Sequence, residues 1–279
     1  EERVETSVDE GVIYQLGRHR LMCGDATNPE HVAKLLDGKK IDLYLTDPPY
    51  NVSYEGKTAE ALTIQNDNLS RLAFEAFLCQ AFSAVDNHLK AGGAFYIWYA
   101  DKERLSVSKA LESFGWDIKQ TLIWVKDHFV LGRQDYQWQH EPCLYGWKGG
   151  AKHYFISDFS LTTLFESSQS LFQLTKGELI SLIQDYQEEM PTTILREGKP
   201  FQNKEHPTMK PIPLMERLIR NSSRQGELVF DSFLGSGSTL LACENLNRRC
   251  YGMELDPKYV SVTLKRYEEL TGQKPIRLG

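Results

Sequence analysis

The sequence predicts an α/β fold built on a doubly wound, mostly parallel sheet, and three stretches carry that expectation. Ile41-Asp42-Leu43-Tyr44-Leu45-Thr46 is a short, mostly apolar run without helical period, which reads as a buried strand of a parallel sheet. Leu228-Val229-Phe230-Asp231 is a second such run, followed by a glycine-bearing turn and a helix expected over 238–247. Cys250-Tyr251-Gly252-Met253 is a third strand, ending at Glu254. Strand, helix, strand is the repeating unit of such folds, and ligands sit at the carboxyl ends of their strands.

The first strand stops at Asp47-Pro48-Pro49-Tyr50. The two prolines fix φ and remove N–H donors, so the backbone is stiff and offers acceptors. One carboxylate and one rigid carbonyl can accept both hydrogens of a single –NH₂ group, favouring the geometry in which its lone pair becomes nucleophilic. Tyr50 adds a flat face on which a ring bearing that amine could stack. Asp and Pro are also ordinary turn formers, so a plain turn after a strand fits these four residues equally well.

The second site is Asp231-Ser232-Phe233-Leu234-Gly235-Ser236-Gly237-Ser238-Thr239. Glycine permits close backbone approach and a helix start favours an anionic group, which makes a cradle for a nucleotide-like ligand. Glu254, after the next strand, has the spacing to accept from ribose hydroxyls. A P-loop would need lysine where Ser238 stands, which argues against a triphosphate. Leu240 stands where a dinucleotide fold usually has its third glycine, which weakens the pyrophosphate reading.

Asp47-Pro48-Pro49-Tyr50 with the Asp231 to Gly237 segment downstream resembles the S-adenosylmethionine-dependent DNA amino-methyltransferases. The catalytic motif precedes the cofactor motif, as in the beta-class, circularly permuted arrangement. His206-Pro207-Thr208-Met209-Lys210-Pro211 is similar to a segment that lies just before the cofactor motif in that family and helps hold the methionine end of the cofactor. Leu89-Lys90-Ala91-Gly92-Gly93, Trp124-Val125-Lys126 and His140-Glu141-Pro142-Cys143-Leu144-Tyr145-Gly146 match as well, so the likeness runs from about Tyr14 to about Leu270.

The resemblance implies a seven-stranded, Rossmann-like methyltransferase sheet with a small inserted lobe in a single domain. It implies S-adenosylmethionine lying across Phe233, Gly235, Ser236, Gly237, Ser238 and Thr239, with Glu254 on the ribose, Asp231 placed for the ammonium and Lys210 near the carboxylate. Gly24-Asp25 matches a pair beside the adenine of the cofactor, although an acid after a strand is equally a helix cap. The catalytic set is Asp47, Pro48, Pro49 and Tyr50, and no metal is needed because the leaving group is a neutral thioether. Double-stranded DNA is the implied partner, with a homodimer as one assembly, a cytoplasmic setting and a place in restriction-modification. Asp at the first motif position favours adenine N6 over cytosine N4, the latter remaining the alternative. A non-catalytic DNA-binding module and a nicotinamide oxidoreductase are the rivals; the first has no use for an intact Asp47 and Tyr50, the second none for the proline turn.

Composition bounds the rest. With 279 residues, 41% of them hydrophobic, the chain can bury one large core or one core plus a small lobe. No apolar run approaches the ~18 residues of a membrane span. Five scattered cysteines without Cys-x-x-Cys support neither a zinc site nor a disulfide framework. A net charge of −6 argues mildly against phosphate contacts, but 196–224 is locally basic, either as a DNA-facing surface or as a solvated helix.

In chain order, 1–12 is an acidic lead-in, and 14–23 is strand with a turn at Gly17. Residues 51–69 read as a long polar loop after the catalytic turn. From Ser70 a helix buries Phe74, Phe77, Leu78, Ala81, Phe82, Val85 and Leu89, and Gly92-Gly93 precedes a strand at 94–99. A helix carrying Val107, Ala110, Leu111 and Phe114 stops at Gly115, and strands follow at 118–125 and 143–147. Between them, 127–140 mixes aromatics with Arg133, a base pocket or DNA contact on one reading and plain packing on the other. Residues 149–201 are where the resemblance places target recognition, or else a structural flap, with a helix expected over 176–188. Pro211 and Pro213 open a helix with Leu214, Met215, Leu218 and Ile219 inward, and Asp256-Pro257 caps a last one to about Leu270.

Overall fold

The computed structural model describes residues 8–52, 67–130, 135–156, 194–196 and 209–278. The expected helix over 176–188, most of the loop after the catalytic turn, Arg133 and His206 to Thr208 lie outside them.

Ten strands form one sheet: β1 (Ile13–Leu16), β2 (His19–Cys23), β3 (Ile41–Thr46), β4 (Leu89–Trp98), β5 (Trp116–Val130), β6 (Trp138–Lys148), β7 (Ile194–Arg196), β8 (Leu228–Asp231), β9 (Arg249–Glu254) and β10 (Ile276–Arg277). Their order across the sheet is β10-β1-β2-β9-β8-β3-β4-β6-β5-β7. The run from β2 through β9, β8 and β3 to β4 is parallel, and β6 alone reverses between β4 and β5. The seven strands implied by the motifs are the central ones from β2 to β5. Three short edges extend them: β1 folds back on β2 through the turn at Gly17, β10 pairs with β1, and β7 with β5.

The helices lie on both faces, α1 (Pro29–Leu36), α2 (Arg71–Asp86) and α3 (Arg104–Glu112) in one layer and α4 (Ile212–Ser222), α5 (Ser238–Asn245) and α6 (Pro257–Thr271) in the other. Alternate residues of each central strand feed the two cores, as period-2 geometry requires. Leu43, Leu45, Tyr96 and Trp98 pack under α4 to α6, whereas Tyr44, Phe95 and Ile97 pack under α1 to α3. The phenylalanines of α2 are core, with Ser70 capping the helix by accepting from the Ala73 N–H.

Several boundaries shift for local reasons. Leu89 belongs to β4 rather than to α2, because β4 runs through both glycines with a register shift against β3, and Gly92 at φ +75° supplies the irregularity. Helix α5 stops at Asn245, and Asn247 at φ +57° turns the chain into β9. Strands β5 and β6 are longer than expected and pair as a hairpin as far as Val130 and Trp138. The cysteines are all unpaired, four of them buried and Cys79 partly so.

Candidate active site

Asp47 follows the last residue of β3, and β3 lies directly beside β8, whose end carries the glycine loop. The structure therefore brings together, on one sheet edge, two motifs about two-thirds of the chain apart. A buried hydrogen-bond chain ties them. Thr46 Oγ1 donates to Asp231 Oδ1 at 2.7 Å, and Thr239 Oγ1 at the start of α5 donates to Asp231 Oδ2 at 2.7 Å. The Phe233 N–H adds a third bond at 3.1 Å. Burial pushes the Asp231 carboxyl up to about 6, against the pull of these donors.

The glycine loop is set by backbone geometry. Gly235 and Gly237 have φ +56° and +88°, where L side chains are strained. Gly237 opens α5 with no side-chain cap, so no side chain occupies the first N–H groups of the helix. Ser236 is held by Arg266, whose guanidinium donates to its carbonyl at 2.5 Å and to its hydroxyl at 3.2 Å. Phe233 packs against Phe77 at 5.8 Å between ring centroids, on the α2 side.

Glu254 ends β9, and its two carboxylate oxygens accept the Gly235 and Asp256 N–H groups, both at 2.9 Å. Burial raises its carboxyl to about 7 despite those bonds. Asp25 stands one loop away, since Gly24 N–H donates to the Glu254 carbonyl. Asp25 is not the helix cap. Asn28 caps α1 by accepting from Glu30 N–H, while Asp25 Oδ1 accepts the Thr27 N–H and hydroxyl, both at 2.8 Å.

These raised carboxyls have a consequence for stability. A carboxyl whose folded value lies above its unfolded one stabilises the fold while protonated and loses that contribution as pH rises through the folded value. Between about pH 3.8 and 7 the ligand-free protein should therefore lose stability, through Asp231 up to about 6 and through Glu254 from about 4.5 to 7. Glu254→Gln, neutral throughout, should flatten that slope; thermal melts at pH 5 and pH 8 would show it, and an unchanged slope would refute the assignment.

The Asp47-Pro48-Pro49-Tyr50 turn holds a compact set of charges. Lys210 Nζ lies 2.5 Å from Asp47 Oδ2, 3.0 Å from the Tyr50 hydroxyl and 3.0 Å from Glu141 Oε2. The Tyr50 hydroxyl donates to Glu141 Oε2 at 3.1 Å, and Lys126 Nζ pairs with Glu141 Oε1 at 2.5 Å. The Lys210 ammonium also sits over the Trp98 and Tyr50 rings, at 5.1 and 5.2 Å from their centroids. Asp47 Oδ1 is buried and has no hydrogen-bond partner among the described residues. Burial pushes the Asp47 carboxyl up, and the Lys210 ammonium opposes the shift. Burial would raise Glu141 too, but Lys210 and Lys126 bring it down to about 2.

Glu141, Lys126 and Thr46 have no site role in the sequence reading. The signal that could have found the first two is strand periodicity. Glu141 continues the face of Cys143 and Tyr145, and Lys126 that of Leu122 and Trp124, so both charges extend buried apolar faces.

A family model described as DNA methylase matches residues 41–265, the span from the start of β3 into α6. The chain belongs to the DNA methylase family. It is 26% identical over 250 residues to the type II methyltransferase M.HpaI of Haemophilus parainfluenzae, covering 89% of this chain and 74% of that one. It is 26% identical over 251 residues to the DNA adenine methyltransferase YhdJ of Escherichia coli (strain K12), covering 84% and 79%. Among solved structures, that of an M1.HpyAVI–SAM complex shares the fold with a TM-score of 0.57 at 23% identity, covering 88% of this chain and 98% of that one. The PvuII DNA methyltransferase (cytosine-N4-specific) does so with 0.64 at 16% identity, covering 96% and 94%. The fold is thus the Rossmann-like methyltransferase fold in its permuted order. Membership makes this methylase an enzyme that acts on DNA with S-adenosylmethionine as methyl donor, as its motifs imply. Among the described residues no helix is long and apolar enough to cross a membrane.

Proposed function

We propose that this methylase transfers a methyl group to the N6 amine of an adenine rotated out of double-stranded DNA. The observation that carries the reading is Asp47 Oδ1, a buried acceptor without a partner among the described residues, at the sheet edge next to the glycine loop. A buried acceptor left unpaired is costly, and the amine of an entering base would satisfy it.

The residues of the loop fit the methyl donor. An uncapped helix start suits its carboxylate, two glycines in left-handed geometry let it approach the backbone, and Glu254 keeps lone pairs beyond its two N–H bonds for ribose hydroxyls. S-adenosylmethionine supplies an electrophilic methyl group on a sulfonium.

An amine in a duplex is stacked and paired, so the base must leave the helix to reach Asp47. Asp47 Oδ1 and the Pro48 carbonyl would accept the two amine hydrogens, and the Tyr50 ring would support the base. The proton displaced after transfer passes to Asp47 or to water. Placement and fixed dipoles supply the rate. Adenine rather than cytosine is favoured by the acid at position 47 and by the likeness to YhdJ, a named adenine methyltransferase.

Incubating plasmid DNA with the protein and donor, then mapping modified bases by single-molecule sequencing, tests this directly. Methylated adenine in a defined context is expected; N4-methylcytosine would replace the base assignment, and unmodified DNA would reject the reading. Tyr50→Ala should lower turnover by about 10- to 100-fold, in line with a stacking contribution of ~1–3 kcal/mol per base. Single-turnover rates would check this, and a loss as large as that of Asp47→Ala would count against stacking.

A further inference from the structure

Among the described residues, the Lys210 ammonium has an acceptor for each of its three hydrogens. A lysine has three donors, and here they meet Asp47 Oδ2, the Tyr50 hydroxyl and Glu141 Oε2. The side chain is 3% exposed, with the Trp98 ring beneath it. Its backbone faces the other way, the Lys210 carbonyl accepting from Ser238 Oγ at 2.8 Å, where α5 begins. Glu141 in turn is held on its second oxygen by Lys126.

We propose that Lys210, Glu141 and Lys126 are positioning residues on the target-base side of the pocket, not a grip on the methionine carboxylate of the donor. The inference rests on the reading of Asp47 and Tyr50 given above. With Lys210 already on Oδ2 of Asp47, Oδ1 is the oxygen left without a partner among the described residues, so the carboxylate offers it to the amine first. With its hydroxyl donating to Glu141 and accepting from Lys210, the Tyr50 ring is fixed at its far end as well as by the proline turn. Two acids and two cations share the space, so burial leaves no net charge. Anchoring of the Lys210 carbonyl to α5 makes the same residue span both halves of the site.

The test uses Lys210→Met and, as a shape-conserving second variant, Glu141→Gln. The charged or titratable groups facing Asp47 are Lys210 ahead of α4, Glu141 and Cys143 on β6, Asp231 on β8 and Tyr50 on its own turn. Removing the cation should move the acid limb of the kcat–pH profile up by about one pH unit. Removing the neighbouring anion should move it down by a fraction of a unit. Donor affinity by calorimetry should stay within about threefold of wild type in both variants, since neither side chain faces the donor on this reading. A structural role alone would not produce shifts of opposite sign.

The same shifts are readable without turnover, from the ¹³C resonance of the Asp47 carboxyl, identified by its loss in Asp47→Asn. Opposite shifts with donor affinity retained support the proposal. An unmoved Asp47 titration, or a loss of donor affinity of tenfold or more in Lys210→Met, overturns it. Opposite shifts in a protein that leaves DNA unmodified would instead reject the function assigned to the site.

Discussion

Asp47→Ala should reduce methyl transfer by about 10³-fold, the scale set by removing a preorganised polar group from a reacting centre. Binding of S-adenosylmethionine should change by no more than a few-fold. The two effects should separate because, among the described residues, Asp47 makes no hydrogen bond to the glycine loop; the loop is tied to β3 through Thr46 and Asp231 and to the Lys210 carbonyl through Ser238, and none of these bonds involves the Asp47 side chain. Truncation removes the acceptor for the amine and leaves Lys210 with Glu141 as its remaining anion. The fold should survive, since Lys210 and Glu141 still pair with each other and with Lys126. Single-turnover kinetics on a methylatable plasmid, together with calorimetric titration of the donor, would measure both quantities. Turnover near wild type would remove Asp47 from the chemistry.

Gly237→Ala should weaken donor binding at least tenfold and lower the stability of the protein by about 2–4 kcal/mol, the sum of left-handed backbone strain and overpacking. The added methyl would come within 2.7 Å of Thr263 Cγ2 and 2.9 Å of its hydroxyl, at a backbone φ of +88°. Thr263 is fully buried and donates to the Gly235 carbonyl at 3.1 Å, so it cannot yield without disturbing the loop itself. Both glycines would then move, and with them the start of α5. Thermal melts with and without donor would report the two losses together; a variant with the melting temperature and donor affinity of wild type would remove the loop from its proposed task.

The parts of this site visible in the sequence are those that strand ends and turn chemistry dictate. An apolar run that stops at an acid and two prolines, and another that stops at an acid and a glycine loop, can be placed at a sheet edge without knowing the neighbours. What could not be read was pairing across long separations. Glu141 joins the Asp47–Tyr50 turn only because β6 inserts antiparallel beside β4, and Lys126 only because β5 pairs with β6 in the register that sets Val125 opposite His140. Lys210 illustrates the same limit. Its motif implies a place near the donor, and nothing in the sequence signals that a side chain with four methylenes also reaches the acid 163 positions earlier. At Asp25 the helix-cap reading gives way for a local reason, since Asn28, three residues on, caps α1. Edge strand β1 was legible with β2 through the turn at Gly17, but β7 and β10 are three and two residues long, too short to leave a periodic signal.

The pairing of β3 with β8 also sets when this protein can become an enzyme at all. The strand that on the proposed reading presents the amine acceptor is made early in synthesis, yet its partner, proposed to seat the methyl donor, emerges 185 positions later, the separation of the Thr46 and Asp231 hydrogen bond. A chain that stops before that point has the Asp47 turn but lacks β8 and the glycine loop beside it. For a protein whose product is a lasting chemical label, completion of synthesis is thereby a built-in condition for the first turnover.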